Sequence, residues 1–222
     1  TVLNTLDGNT TGVVNAATVT VLTGAAGDVI TSYTADGNGT ISGLANEALT
    51  LSGNTSVANA NTLAAETSGV ITATITEGDV TTLKTLNETT NAYTITITDA
   101  TVAVADLNTI NGATTVAVVA TAINTLTGAA AAMNTAYTAG GNGEITGLAN
   151  EAITLDDTSL AVATLNTLNG NTTGVVNAAT VGTLTGGAAA MNTAYTAGGN
   201  GEITNLGNEA ITLDDTSLAV AT

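Results

Sequence analysis

Cysteine, histidine, proline, tryptophan and phenylalanine are all absent from the chain, and Lys84 is the only basic side chain. Each absence narrows what the protein can do. Without cysteine there are no disulfides and no thiolate metal sites, although this alone does not separate a reducing compartment from an oxidising one. The chain has many Ser and Thr hydroxyls but no histidine to activate them, and no cysteine to serve as the nucleophile instead. One basic residue against 18 acidic ones leaves a net charge of -17. Nucleic acid and anionic membrane are excluded as partners, because both are bound through Lys and Arg. The charge fits a solvated outer surface. No long hydrophobic run is present either: the uncharged span 107–143 could reach across a bilayer, but Asn, Thr and Gly interrupt it every few residues.

What remains is enough to fold. Apolar residues make up 44% of the chain and the mean hydropathy is +0.36, so there is material to bury and order is expected.

The basic unit is best seen at residues 153–170, ITLDDTSLAVATLNTLNG. Ile153-Thr154-Leu155 alternates apolar and polar, as a short strand with one buried face does. Asp156-Asp157-Thr158 offers side chains that cap a helix start. Leu160, Ala161, Leu165 and Leu168 then fall on one helical face, and Asn169-Gly170 can end the helix in the left-handed conformation. A polar turn, Asn171-Thr172-Thr173-Gly174, leads to the next strand at Val175.

This design repeats along the whole chain. Residues 128–164 recur at 186–222, a shift of 58, with differences only at Ala129/Gly187, Gly147/Asn205 and Ala149/Gly207. Residues 5–19 recur at 167–181, residues 24–47 are a looser copy of 128–151, and 51–110 form a more diverged copy. Strands are expected to start near Val13, Ala48, Val70, Tyr93, Ala117, Ala152, Val175 and Ala210, in steps of 35, 22, 23, 24, 35, 23 and 35. The long steps carry an Ala-rich helix extension and the loop Gly140-Gly141-Asn142-Gly143 or its relatives.

Registering the short coils superposes Ile71, Ile95, Ile153 and Ile211, and two residues later Ala73, Ile97, Leu155 and Leu213, as inward rows. Between them Thr50, Thr72, Thr96, Thr154 and Thr212, with Asn15 and Asn177, form an outward polar row. The helix stripe Ala103, Leu107, Ile110 matches Ala161, Leu165, Leu168. A single coil cannot bury its apolar face; stacked coils share one. The expected fold is a right-handed α/β repeat solenoid, one short parallel strand and one short helix per coil of about 23 or 35 residues, continuous over 1–222. An all-β solenoid is the alternative. Both termini fall inside the helix of the unit, and the chain opens without Met or a signal-peptide pattern, so a section of a longer array is expected.

Few residues suggest chemistry. Asp156-Asp157 and Asp214-Asp215 are adjacent carboxylates of the kind that bind Ca²⁺, or else Asp157 and Asp215 cap helices while Asp156 and Asp214 face solvent. The glycine-rich calcium nonapeptide pattern is absent; Gly140-Gly141-Asn142-Gly143-Glu144 only touches it. The threonine rows suit a flat surface such as ice, or an ordinary exposed sheet face. Carboxylate pairs can hydrolyse sugars, but here they are duplicated along an array, whereas an enzyme needs one convergent cleft. Lys84 sits on a solvated helical stretch, and Met133 and Met191 are core fillers. No catalytic, cofactor or metal residue is assigned, and the chain is not expected to be an enzyme.

The runs LNTLDGNTTGVVNAATV at 3–19, LNTLNGNTTGVVNAATV at 165–181 and NEAITLDDTSLAVAT at 150–164 resemble segments of very large repetitive cell-surface or secreted proteins of bacteria, cyanobacteria among them. The resemblance covers nearly all the chain and carries no residue chemistry. It implies an outer-surface location and a structural or adhesive role: a fibre, stalk or coat whose partners are further repeats or copies of itself end to end. The alternative is a binding module for glycan, Ca²⁺ or ice on the outward Thr/Asn row.

Overall fold

The computed structural model of the protein describes residues 1–219, an α/β chain in which parallel strands alternate with helices. The helices among the described residues are Val2–Gly8 (α1), Ala26–Asn38 (α2), Val57–Glu66 (α3), Val80–Leu83 (α4), Val104–Gly112 (α5), Ala130–Gly141 (α6), Val162–Asn171 (α7) and Ala188–Gly199 (α8). Two compact units divide the chain: Thr1–Ile97 with Thr109–Val119, and Thr98–Asn108 with the residues from Ala120 onward.

In the first unit a four-stranded sheet runs in the order Val21–Gly24, Ala48–Thr55, Ile71–Ile75, Ala92–Thr94, and a separate pair joins Val14–Asn15 to Ile41–Ser42. Alternation decides which side chains go in. In Ile71–Ile75 the Ile, Ala, Ile positions are buried and the threonines between them exposed. Leu22, Leu49 and Ile71 are in register, and one strand on, Ala73 faces Tyr93.

The second unit holds a five-stranded sheet, ordered Ile203–Thr204, Val176–Asn177, Ala152–Leu155, Thr125–Gly128, Thr101–Ala103. Its central row, Val102, Leu126, Ile153, Val176 and Ile203, is in direct register and every member is at most 2% exposed. At about 1.5–3 kcal/mol for each large aliphatic side chain fully buried, this row is a principal stabilising element of the unit. A three-stranded sheet, Ser159–Ala161, Thr183–Gly186 and Ala210–Leu213, aligns Leu160, Leu184 and Ile211. On the helices, Leu107, Ile110, Leu165, Leu168, Met133 and Met191 are buried as their spacing predicts.

The register differs from the expectation in two ways. Ile71 and Ile153 do point inward and Ile71 aligns with Leu49 as the step of 22 predicts, but Ala73 aligns with Tyr93 instead of Ile97, and Ile153 and Ile211 lie in different sheets. The long steps are also not pairing distances: Val14 pairs with Ile41 instead of the expected Leu49, and Leu49 pairs with Leu22, where no strand was expected. The long segments contain extra strands, Val21–Gly24 and Ile41–Ser42, the second of them too short to show alternation. As a result the sheets sidestep. Thr125–Gly128 and Ala152–Leu155 belong to the five-stranded sheet, while their copies in the later repeat, Thr183–Gly186 and Ala210–Leu213, form part of the three-stranded one.

Candidate functional site

The solvent face of the sheets carries the rows of threonine and asparagine. Thr23, Thr50 and Thr72 are in register and exposed, and Thr74 aligns with Thr94. In the second unit Thr127, Thr154, Asn177 and Thr204 form one row, of which Thr154 is the most open. Thr212 is aligned with Thr185, and Thr96 bridges to Val119, so the predicted row is divided between sheets. Adjacent hydroxyls within a row repeat at the interstrand spacing of about 4.8 Å.

The carboxylates have structural partners. The Ala130 N–H donates to Asp157 Oδ2 at 2.7 Å and the Ala188 N–H to Asp215 Oδ2 at 2.6 Å. Asp157 and Asp215 therefore cap helices, but these are α6 and α8, which precede them in the chain, instead of the helix that follows. The helix after Asp157, α7, starts at Val162 behind Ala161 and has no side-chain cap. Glu77 does the same across a shorter coil, accepting the Val57 N–H of α3 at 3.0 Å. A carboxylate on the first N–H groups is favoured by both hydrogen bonding and the helix dipole. Asp156 and Asp214 are exposed. Among the described residues no group of three or more His, Cys, Asp or Glu side chains could hold a metal ion. Lys84 follows α4 at its C-terminal cap and is exposed.

Two polar systems escaped the sequence reading. The first is a buried clamp: Tyr33, Tyr137 and Tyr195 donate their hydroxyls to Glu47, Glu151 and Glu209 at 3.0, 2.9 and 3.0 Å. Each of these carboxylates also accepts the N–H two residues before it, from Ala45, Ala149 or Gly207. Glu47 and Glu151 are at most 1% exposed, and a buried carboxylate is tolerated only when its oxygens are satisfied in this way. Burial pushes the three tyrosine hydroxyls above their usual range, and the facing carboxylate adds to the shift. The legible signal was the constant separation of Tyr and Glu, the same in all three pairs. Next to the clamp, Thr172 donates to the Glu151 carbonyl at 3.0 Å, and Gly174 packs so closely on that carbonyl that a Cβ there would overlap its oxygen.

The second system links successive helices. Asn108 of α5 donates to the Ala132 carbonyl, Asn134 of α6 to Thr164 and Asn166 of α7 to Ala190, at 3.0, 3.2 and 2.9 Å. In the first unit Asn4 donates to Asp28 and Asn61 to Thr85. All but Asn61 sit in a Leu/Met-Asn-Thr triplet, the pattern that could have revealed them.

No family model, curated protein or solved structure matches the chain. The polar side chains described above form helix caps, Tyr–Glu clamps and inter-helix ties, with hydroxyl rows left on the outside. No helix of the described residues is long and apolar enough to cross a membrane.

Proposed function

We propose that this chain is a section of an extracellular structural protein, a right-handed α/β solenoid whose stacked coils build a fibre, stalk or surface layer. The observation that carries it is the five-strand row from Val102 to Ile203, buried and in unbroken parallel register. Such a row extends by adding coils, and its stability is a sum of neighbour contacts. The role is non-enzymatic: the carboxylates at Asp157, Asp215 and Glu77 are committed to helix ends. The net charge of -17 keeps neighbouring surfaces apart and suits an outer coat. Its partners are further coils of the same kind, end to end. Negative-stain imaging and fibre diffraction test this: filaments with an axial reflection near about 4.8 Å are expected, and isolated compact particles at every concentration overturn it.

A second reading has its own support in the exposed rows Thr23-Thr50-Thr72 and Thr127-Thr154-Asn177-Thr204, which offer regularly spaced hydroxyls to a glycan or a crystalline surface. Binding to a glycan panel or ice-growth inhibition, lost on replacing Thr50 and Thr72 with Lys, is its test. A melting temperature unchanged between Ca²⁺ and chelator removes Ca²⁺ as a ligand.

A further inference from the structure

The helix layer of the first unit is interrupted beside α3, and the opening is negatively charged. α3 runs for ten residues and α4 for only four. Thr85 ends α4 early: its N–H and its hydroxyl both donate to the Thr82 carbonyl, at 3.0 and 2.6 Å, the local bonding by which threonine competes with a helix. The chain beyond is tied to the middle of α3, where the Asn61 amide donates to the Thr85 carbonyl and its oxygen accepts the Asn87 N–H. The last turn of α3 is left uncovered, with Ala65 and Glu66 exposed. A concavity of about 450 Å³ opens there, between Ala45 on one side and Glu88 and Asn91 on the other.

Acceptors predominate around it. The carboxylates of Glu66 and Glu88 both border the concavity, and neither has a hydrogen bond or an ion pair among the described residues. The only basic side chain, Lys84, is not on the lining. The Ser68 N–H donates to the Ala45 carbonyl and the Gly69 N–H to Thr67 Oγ1, both at 3.0 Å. The carbonyls of Ala64 and Ala65 therefore receive no N–H from the turn that follows, and the negative end of the helix dipole lies at the opening. Behind the lining stands Tyr93. It is 1% exposed and its hydroxyl has no hydrogen bond, although a buried hydroxyl normally has one. The Asn91 side chain and the Glu88 charge reach that hydroxyl, and both residues belong to the lining, so the unmet group is directed at the concavity from inside.

We propose that this concavity binds a small aliphatic diamine, with its ammonium groups at Glu66 and Glu88 and its methylenes over Ala64 and Ala65. An ammonium has three donors and no acceptor, the complement of carboxylates and unmatched carbonyls, and hydrogen bonds between charged partners are the stronger ones. A metal ion is the poorer fit: two carboxylates border a space much larger than one ion, and no group of three ligating side chains exists among the described residues. A neutral sugar would leave both charges unpaired. The site stands apart from the fibre reading and does not depend on it.

Calorimetric titration of the protein with putrescine at low ionic strength is expected to show one saturable site, and the ring resonances of Tyr93 in NMR should shift with it while those of Tyr137 stay. Glu66→Gln and Glu88→Gln should each weaken binding about threefold or more. Asp156→Asn, which neutralises an exposed carboxylate elsewhere, should leave it unchanged. All three substitutions keep side-chain size, and equal unfolding midpoints confirm that the fold is intact. Binding that weakens equally in all three variants is diffuse attraction to an acidic surface and overturns the site. Ca²⁺ that excludes putrescine and moves Tyr93 in the same way makes this a metal site and overturns the diamine assignment. Absence of saturable binding overturns it as well, and none of these outcomes alters the filament test.

Discussion

The stretch from Val57 to Ile97 and the stretch from Thr125 to Leu213 build the same layers with different residues. In the second, Asp157 caps a helix that lies a whole coil earlier and the Tyr137–Glu151 pair closes the turn. In the first, Glu77 caps α3 across a shorter coil, and Asn91 Oδ1 accepts the Ile71 N–H at 2.8 Å where no such clamp stands. Tyr93 is buried there, its hydroxyl without a hydrogen bond, with the Asn91 side chain close by and the charge of Glu88 adding to the burial that pushes it up to about 12. The comparison separates what the architecture requires from what a given copy uses. An inward aliphatic row is common to both; a carboxylate on a helix start is used at α3, α6 and α8 and not at α7, and the Tyr–Glu clamp is one of several ways to finish the corner.

Breaking a required element should therefore cost the same in either region. Leu126→Ala and Leu63→Ala both empty fully buried sites, and each should lower stability by about 2–5 kcal/mol in urea unfolding; a much smaller loss in one region would show that its row is dispensable. Next in size, Gly174→Ala forces a Cβ onto the Glu151 carbonyl and should cost about 1–3 kcal/mol, while Gly12→Ala, whose Cβ would meet only Thr10 Oγ1 at 3.5 Å, should leave the unfolding midpoint where it was.

The clamp sharpens the contrast. Tyr137→Phe removes the hydroxyl donated to buried Glu151 and should cost about 1 kcal/mol, whereas Tyr93→Phe removes a hydroxyl without a hydrogen bond and should be neutral or slightly stabilising. The smallest effect is with pH. A tyrosine whose folded pKa is raised above its unfolded value of about 10 holds its proton more tightly when folded. Its contribution is complete below about pH 10 and is lost as the pH rises through the folded value. Urea midpoints should stay level up to about pH 10 and fall above it, and Tyr93→Phe should reduce the fall through about pH 12.

Much of the fold was legible because burial imposes period. The alternation in 71–75 and the helical stripe through Leu165 and Leu168 are direct consequences of one-sided packing, and both are present. Register was less legible. Strands as short as Ile41–Ser42 contain no alternation to read, so their pairing with a strand one coil away is a property of the stack. The asparagine ties, and the identity of the helix that Asp157 caps, were missed for a related reason: their partners are close in space but a full coil away in sequence, and local capping rules favour the nearer helix. The hydroxyl rows were visible as exposed threonines, but not their division between sheets.

The sidestep of the sheets has a consequence for how the chain reaches its fold. Ala152–Leu155 pairs with Thr125–Gly128, yet Thr183–Gly186 has the same sequence, TLTG. Leu126 and Leu184 flank Ile153 at similar separations, one before it and one after, so closing either loop costs nearly the same entropy. A chain diluted whole from denaturant meets the correct strand and its decoy together. One emerging from its N-terminus meets Thr125–Gly128 before the decoy exists. Vectorial synthesis thus selects the pairing that local energies leave degenerate, and yields on bulk refolding should fall below yields from cells as near-identical repeats are added.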